Sequence, residues 1–473
     1  MARLLVLALL LAADTAARAK TPVTITVHPG ARQTFQGFGA SLSEYSEPYG
    51  RISQADRDTL ARLVWHDCRF RILRLWFSPP DFAPHPGERN TAEFLRDYVT
   101  SGMIADAQRA GATTLLLAPN AVPAYLGKDD VITSRGITGY ANLLADFIRK
   151  VKDENGIAFA ASGVLNEPHD GHPIIEANQW ADMVKAFRKA LDERGLQSVA
   201  IIAPEHASGG DAYCMQALES IRRDLEAWRA LGGAASHSYQ MGVTEPMAAL
   251  VGDKSFWMTE AAANGPEKPG DTLAGTSLAA RVLNDLNHRI THWIHFIAYH
   301  LADPTDDQTR MIRYWTNPFR YELLQKYWYY QQLSQTFEVG AVFRHSTSSL
   351  GDPEMTWTYG KKPKLTAAAA RNADGTWAMG LANFADASFT DRRGKDDQNG
   401  FPAETFDVTV VIDELRTAGA LNMQVHRSNH GINNRPAATV TLTHGGITVR
   451  DVAPCDLITL RASRSQTEES TPH

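Results

Sequence analysis

Cysteine is scarce in this chain, because its 473 residues include only Cys68, Cys214 and Cys455. These three are odd in number, lie far apart and lack the paired spacing of a zinc knuckle. At most one disulfide can form within the chain, so a disulfide scaffold and a cysteine-held metal site are both excluded. We predict that all three are small buried hydrophobic residues.

Excess positive charge is also missing, since 47 Lys and Arg residues face 53 Asp and Glu residues and the net charge is −6. This balance excludes a basic field for nucleic acid or for an anionic membrane surface. No Gly-x-Gly-x-x-Gly turn follows an early strand, and the phosphate-binding Gly-x-x-x-x-Gly-Lys loop is absent, so nucleotide binding has no support. We expect no cofactor.

Long apolar runs are absent apart from one at the start of the chain. A charged beginning, Met1-Ala2-Arg3, is followed by a short leucine-rich run and a small-x-small pattern at residues 17–19. This pattern predicts a secretory signal peptide over residues 1–19, too short for a membrane span. A buried core helix is the alternative, disfavoured by its extreme N-terminal position. We expect a monomer secreted to the extracellular space or periplasm.

Helices of 3.6-residue apolar period alternate with short apolar strands over residues 35–340. Eight such units predict a (β/α)₈ barrel, in which catalytic groups sit where the strands end. A doubly wound open sheet is the alternative. The predicted strands begin near residue 35 and continue at 71–77, 113–119, 160–166, 198–203, 234–239, 256–260 and 292–299.

A second domain is predicted after the barrel, because helical periodicity stops near Gly340. Residues 341–462 contain turn-punctuated strands, including a hairpin around Asn372-Ala-Asp374-Gly375, and predict an all-β sandwich. Residues 20–34 hold one alternating strand with nothing before it to pair with, so it is expected to join a sheet made later. Residues 463–473 read as a disordered tail.

Two carboxylates stand where barrel strands are predicted to end, Glu167 after the fourth and Glu260 after the seventh. They should therefore meet at one mouth of the barrel. Glycosidic bond hydrolysis needs such a pair, one acid to protonate the leaving oxygen and one ionised group facing the anomeric carbon. A separation of about 5–5.5 Å gives retention of configuration and about 6.5–9.5 Å gives inversion, which the sequence leaves open.

The motifs around these glutamates resemble glycoside hydrolase family 30. They are Gln36-Gly-Phe-Gly-Ala-Ser41, Asn166-Glu167-Pro168 and Thr259-Glu260, in that order on eight βα units with a sandwich behind. The resemblance covers nearly the whole chain after the signal peptide. It implies that Glu167 is the general acid/base and Glu260 the nucleophile, and that the N-terminal strand joins the sandwich.

The same resemblance implies roles for four more residues. Asn166 would bind the sugar 2-hydroxyl, and Arg74 in the second strand would keep the nucleophile ionised. His237 and Tyr239 match a His-x-Tyr at the end of the sixth strand, whose tyrosine typically touches the nucleophile. An ordinary ion pair for Arg74 and a buried core histidine for His237 are the alternatives.

Three further residues are candidates for contacts with sugar. Trp76 and Tyr299 offer flat apolar faces that suit pyranose rings, although plain packing explains them as well. Asn120 stands in the loop after the third strand, where family members often carry an aromatic side chain, so the departure leaves the substrate open. The histidines at positions 288, 292, 295 and 300 fall on mixed faces of the chain, so we expect no metal site.

Together these features predict a secreted retaining β-glycoside hydrolase acting on an oligo- or polysaccharide. β-1,6-Linked glucan or galactan is the favoured substrate. Xylanase, β-glucosidase, β-fucosidase or α-arabinofuranosidase activity on the same glutamate pair is one alternative. A non-catalytic carbohydrate-binding barrel is another, from a different class. No motif in the late loops suggests binding of a uronic acid.

Overall fold

A computed structural model describes residues 20–42, 47–169, 173–239, 242–263, 272–305, 309–352, 355, 363–385 and 403–462. The predicted signal peptide (1–19) and C-terminal tail (463–473) lie outside these residues. In the part of the chain that is described, no helix combines the length and the hydropathy needed to span a bilayer.

Eight parallel strands close into a barrel, as the sequence predicts. Each strand hydrogen-bonds to the next, and the eighth pairs with the first. Barrel strands 1 to 8 are Gly37–Leu42, Ile72–Phe77, Thr114–Pro119, Ala161–Gly163, Ala200–His206, Leu231–His237, Ser255–Glu260 and His292–His295.

Helices surround the barrel and follow its strands. Ser53 is the N-cap of helix Gln54–Ala61, because its hydroxyl accepts the backbone N–H of Asp56. The α-helices are Glu47–Arg51, Gln54–Ala61, Pro79–Phe82, Ala92–Phe94, Met103–Ala110, Ser134–Asn155, Trp180–Glu193, Ala212–Arg223, Leu225–Ala230, Glu245–Val251, Thr272–Asn287 and Gln325–Thr336. Arg62–Asp67 and Leu95–Thr100 are π-helical, and Ala124–Leu126, Ala177–Gln179 and Asp413–Leu415 are 3₁₀ turns.

One apolar layer fills the barrel interior below the site, with about one side chain from each strand. It consists of Ile72, Leu116, Ala161, Ile202, Ala235, Trp257 and Ile294. The first strand contributes Gly39, where a Cβ atom would collide with Ile72. The layer is the apolar floor on which the polar groups of the barrel mouth rest.

Barrel strand 7 departs from the simple alternation expected of it. Period two predicts Phe256, Met258 and Glu260 on one face, but Phe256 and Met258 belong to the core shared with the outer helices, and Trp257 points inward. The register against strand 6 shifts between Met258 and Glu260. This bulge turns Glu260 toward the mouth, as bulges near active sites commonly do.

Barrel strand 8 is shorter than predicted and ends at His295. The chain then leaves the barrel, and Tyr299 begins a separate three-stranded sheet of Tyr299–Leu301, Ile312–Thr316 and Phe319–Leu323. The expectation of one strand over 292–299 is therefore wrong at its C-terminal end.

The C-terminal domain is a sandwich of two sheets, as predicted. One sheet has four strands in the order Ser346–Ser348, Thr21–Val27, Phe406–Ile412 and Gly446–Val452. The other has six, in the order Val342–Arg344, Leu365–Arg371, Trp377–Asn383, Leu457–Ala462, Leu421–Asn429 and Ile432–Leu442. The N-terminal strand Thr21–Val27 pairs in parallel with Phe406–Ile412 along its full length. It thus joins the sandwich from the far end of the sequence.

The three cysteines are buried and free of disulfides, in agreement with the sequence. The aromatic helix Gln325–Thr336 packs between the two domains. The hydroxyl of Tyr329 donates to the carbonyl of Cys455, and the amide of Gln332 donates to that of Leu457 in the sandwich.

Candidate active site

Glu260 ends barrel strand 7 with only 5% of its surface exposed, and each of its carboxylate oxygens has a donor. Arg74 Nη1 donates to Oε2 at 2.6 Å, and the Tyr239 hydroxyl donates to Oε1 at 2.8 Å. Hydrogen bonds to a charged partner are short and strong. Glu260 is therefore held in a fixed orientation by donors from two directions.

Arg74 lies on barrel strand 2 and is completely buried. Its Nη2 donates to Asn166 Oδ1 at 2.6 Å, so one guanidinium joins the ends of strands 2, 4 and 7. The guanidinium carbon also lies 4.7 Å from the centre of the Trp76 ring. Burial opposes the charge of Arg74, but its contacts with the neighbouring carboxyl groups, that of Glu260 foremost, raise the pKa of its guanidinium.

Glu167 follows barrel strand 4 and is partly exposed at the mouth. The predicted strand stops at Gly163, and Glu167 adopts a left-handed backbone with φ of 46°. Its N–H donates to the carbonyl of Glu205 on the neighbouring strand, which fixes this unusual conformation. The buried ring of His237 lies 3.0 Å from Glu167 Oε1 through Nδ1.

The two glutamates lie close together across the mouth. One oxygen of Glu167, one oxygen of Glu260 and a ring nitrogen of His237 all lie within 4.8 Å of one another. This spacing matches the short separation of retaining glycosidases and is below the roughly 6.5–9.5 Å that admits a water molecule for inversion. The geometry therefore favours double displacement.

The same three side chains could also present ligand atoms to a metal ion. They form the one cluster of possible metal ligands among the residues that the structure describes. Both oxygens of Glu260 already accept from Arg74 and Tyr239. A cation there would sit beside the buried positive charge of Arg74, so the group suits an acid and nucleophile pair better than a metal centre.

Tyr239 remains a hydrogen-bond donor over a wide pH range. Burial raises the pKa of its hydroxyl, and the negative charges of Glu260 and Glu167 raise it further. Because a protonated phenol can only approach a carboxylate as a donor, the bond to Glu260 is a fixed feature of the site.

Trp76, which contacts Arg74, and Asn120 both line one cavity of about 110 Å³. The backbone N–H of Asn120 donates to the carbonyl of Phe77. Acidic side chains, among them Asp81 and Glu93, line the same cavity. Burial and the neighbouring Asp81 raise the pKa of Glu93.

Tyr299 is not brought together with the other predicted residues. It is 2% exposed and stacks on Tyr49, with ring centres 5.6 Å apart. The expectation that it stacks on sugar is corrected to core packing, because its strand belongs to the separate sheet after barrel strand 8.

A third acidic residue, Glu205, was missed by the sequence reasoning. It lies near the end of barrel strand 5, is fully buried, and places Oε1 3.5 Å from Arg74 Nη2. Its sequence position has the same feature as the other two glutamates, because it is a carboxylate near the end of a predicted barrel strand.

Solved structures of low sequence identity share this architecture. The catalytic domain of a family 30 xylanase C from Talaromyces cellulolyticus superimposes with a TM-score of 0.68 at 17% identity, covering 93% of this chain and 100% of that chain. A family 30 subfamily 8 xylanase from Clostridium acetobutylicum gives 0.64 at 18% identity, covering 93% and 99%. The fold is that of glycoside hydrolase family 30.

A third similar structure with this family 30 fold is an endo-β-1,6-glucanase, with a TM-score of 0.63, 17% identity and coverage of 93% and 94%. No protein-family model and no curated protein sequence matches the chain. At this low sequence identity the similarity establishes the fold alone. The chemistry must be inferred from the residues at the barrel mouth.

Proposed function

We propose that the protein is a secreted retaining β-glycoside hydrolase that cleaves β-linked glycans by double displacement. The observation that carries this proposal is the pair Glu167 and Glu260, with oxygens within 4.8 Å of each other at the ends of barrel strands 4 and 7. The glycosidases with similar folds support it. The N-terminal signal pattern supports export.

In the first step Glu167 gives its proton to the glycosidic oxygen, and that oxygen departs with the electrons of the C–O bond. A carboxylate oxygen of Glu260 attacks the anomeric carbon and forms a glycosyl ester. Arg74 and Tyr239 hold the two oxygens of Glu260 before the attack. The nucleophile therefore needs little reorganisation during the reaction.

In the second step Glu167, now ionised, takes a proton from water. The resulting hydroxide oxygen attacks the anomeric carbon, breaks the ester to Glu260 and restores both glutamates. Two displacements leave the anomeric configuration unchanged. His237, at 3.0 Å from Glu167, orients this carboxyl group through both steps.

Asn166 and Trp76 are proposed to bind the sugar at the reacting centre. Arg74 donates to Asn166 Oδ1, which fixes the orientation of the amide and leaves Nδ2 as its donor for the sugar 2-hydroxyl. A hydrogen bond to that hydroxyl strengthens as positive charge develops on the ring in the transition state. The Trp76 ring provides a flat apolar surface next to Arg74.

β-1,6-Linked glucan or galactan is our proposed substrate. The endo-β-1,6-glucanase among the similar structures supports this choice, whereas the similar xylanases make β-1,4-xylan the first comparison. Asn120 lines the cavity beside Trp76, so it is the predicted residue through which this chain would differ in sugar preference.

The proposal is tested with purified protein on β-1,6-glucan, β-1,6-galactan, xylan and a set of aryl β-glycosides and α-arabinofuranosides, with linkage analysis of the products. We expect hydrolysis of a β-linked substrate, and Glu260→Gln should lower kcat by at least about 10³-fold. Glu226→Gln is the matched control, because Glu226 is exposed on a helix outside the site.

Full activity in Glu260→Gln would contradict the assignment of the nucleophile. Turnover of α-arabinofuranosides alone would favour the alternative retaining activity on the same glutamate pair. Sugar binding without turnover of any substrate would favour a carbohydrate-binding protein.

A further inference from the structure

Glu205 is a buried carboxyl group that the two-step mechanism does not use. None of its surface is exposed, and its carboxyl group lies against Arg74 of strand 2 and Gly163 of strand 4. Burying a carboxyl group without polar contacts costs free energy, so a buried glutamate needs compensating contacts. The neighbours of Glu205 provide them.

The nearest cation to Glu205 is Arg74, whose guanidinium faces three acceptors. Nη1 donates to Glu260 Oε2 at 2.6 Å, while Nη2 donates to Asn166 Oδ1 at 2.6 Å and lies 3.5 Å from Glu205 Oε1. The first two acceptors are at the mouth, and Glu205 approaches from strand 5. Together they fix the plane of the guanidinium, which none of them could fix alone.

The backbone around Glu205 makes room for this contact. The register between strands 5 and 6 shifts between Pro204 and His206, and Glu205 has a left-handed φ of 54° at the bulge. On strand 4 the facing residue is Gly163, where a Cβ atom would overlap the Glu205 carboxyl group. Bulge and glycine thus act together to place one carboxyl group against Arg74.

We propose that Glu205 is a positioning residue for the reaction, acting as a neutral acceptor that holds Arg74 in contact with both the nucleophile Glu260 and Asn166. This inference rests on the proposed glycosidase function. Glu205 does not touch the reacting atoms, and its effect on them passes through the guanidinium.

Charge balance supports a neutral Glu205. Arg74 and ionised Glu260 already compensate each other, so a second ionised carboxylate would be an unbalanced buried charge. Burial, the largest cause, and the charge of Glu260 raise the pKa of Glu205, although Arg74 and Thr259 lower it. An acceptor without charge orients the arginine while leaving its positive charge available to Glu260.

The test compares Glu205→Gln with Glu205→Met in the full chain. Glutamine keeps an uncharged carbonyl acceptor, so kcat should stay within about threefold of wild type. Methionine fills similar space without an acceptor, and kcat should fall on the order of 10- to 100-fold, as expected for a misplaced catalytic group. KM should change by less than about threefold in both variants, because Glu205 touches no substrate and the hydrogen bond from Asn166 to the sugar strengthens mainly in the transition state.

The pH profile of kcat/KM separates positioning from packing. Its acid limb reports protonation of an essential base in the free enzyme. In Glu205→Met the acid limb of the profile should move to higher pH, because Arg74 is free to turn away from Glu260. In Glu205→Gln the acid limb should stay where it is in the wild type. A limb that moves to lower pH in Glu205→Gln would show an ionised Glu205 and overturn the neutral-acceptor proposal.

Gly163→Ala provides a second route if Glu205→Met fails to fold, because it displaces the carboxyl group without removing it. Folded Gly163→Ala should share the loss in kcat and the shifted limb. Wild-type kcat in folded Glu205→Met or Gly163→Ala would overturn the proposal, as would equal losses in Glu205→Gln and Glu205→Met. Absence of turnover in the wild-type protein would overturn the glycosidase function itself, so the two failures are distinguishable.

Discussion

At the scale of single residues, the site depends on hydrogen bonds that converge on one carboxylate. Arg74 and Tyr239 reach Glu260 from strand 2 and from the end of strand 6, so the nucleophile is fixed from two directions. Glu167 has a different environment, since its neighbour is His237 and it is partly exposed. Two carboxyl groups in unlike surroundings can take unlike roles.

Tyr239→Phe removes one of the two donors to Glu260 while keeping the ring. A hydrogen bond to a charged group contributes about 1.5–3 kcal/mol, so we expect kcat on an aryl glycoside to fall roughly 10- to 150-fold. Steady-state kinetics at the pH optimum provide the measurement.

Tyr327→Phe is the matched control for this change, because its buried hydroxyl donates to the backbone of Leu63 and does not contact either glutamate. It should leave kcat unchanged while lowering thermal stability. Equal kcat values for Tyr239→Phe and wild type would show that the bond to Glu260 is not used in catalysis.

Most of the site is predictable from the sequence at this scale, and the exceptions have identifiable causes. Glu167 and Glu260 stand out because short motifs surround them. Glu205 does not, since it follows a proline directly after an apolar run and its contact with Arg74 depends on a bulge. Tyr299 was assigned to the site because the end of barrel strand 8 could not be located from hydrophobic pattern alone.

At the scale of elements, the strand ends determine which side chains reach the mouth. Strand 4 has three paired residues, and the backbone then turns through Glu167. Strands 5 and 7 each carry a bulge just before their last residue. Period two predicts which residues of a regular strand point inward, but a bulge reverses that order, and no sequence pattern here marks the bulges.

The N-terminal strand Thr21–Val27 lies inside its sheet, between Phe406–Ile412 and Ser346–Ser348. Ile25 is fully buried in the sandwich core. Ile25→Ala should lower the free energy of unfolding by about 2–5 kcal/mol, the usual cost of emptying a core position. Urea unfolding followed by far-UV circular dichroism measures this change.

Thr24→Ala on the opposite, exposed face of the same strand is the control. It keeps the backbone hydrogen bonds and should change the free energy of unfolding by less than about 0.5 kcal/mol. Equal stabilities for Ile25→Ala and Thr24→Ala would mean that the strand does not contribute to the core.

At the scale of the whole molecule, the barrel and sandwich share an interface built around helix Gln325–Thr336. The class and order of these parts follow from the sequence, because helical and strand periods separate cleanly near residue 340. The pairing of the first strand with a partner nearly 400 residues later does not follow from any local pattern. It came from the family resemblance, and the structure confirms it.

Buried histidine makes the stability of the molecule depend on pH. His295 ends barrel strand 8 and is fully buried against Tyr330 of the outer helix, and burial lowers its pKa from 6.5 to about 3. Between these two pH values the unfolded chain binds a proton that the folded protein excludes. This group therefore reduces the free energy of unfolding by about 1.4 kcal/mol for each unit that the pH falls below 6.5.

His295→Asn removes this contribution. The stability gap between wild type and variant should be constant above pH 7 and should narrow by roughly 2 kcal/mol between pH 6.5 and 5, as measured by urea unfolding. His85→Asn, a change at an exposed histidine, serves as the control and should run parallel to wild type. A constant gap for His295→Asn down to pH 5 would show that His295 is protonated in the folded protein.

The central claim is that Glu167 and Glu260 divide the roles of acid/base and nucleophile in a retaining reaction. Glu167→Ala is assayed with an aryl β-glycoside that needs no protonation of its leaving group, with and without sodium azide. We predict that azide, entering the space left by the Glu167 carboxylate, restores turnover and yields a β-glycosyl azide of retained configuration. An inverted glycosyl azide, or turnover unaffected by azide, would contradict this division of roles.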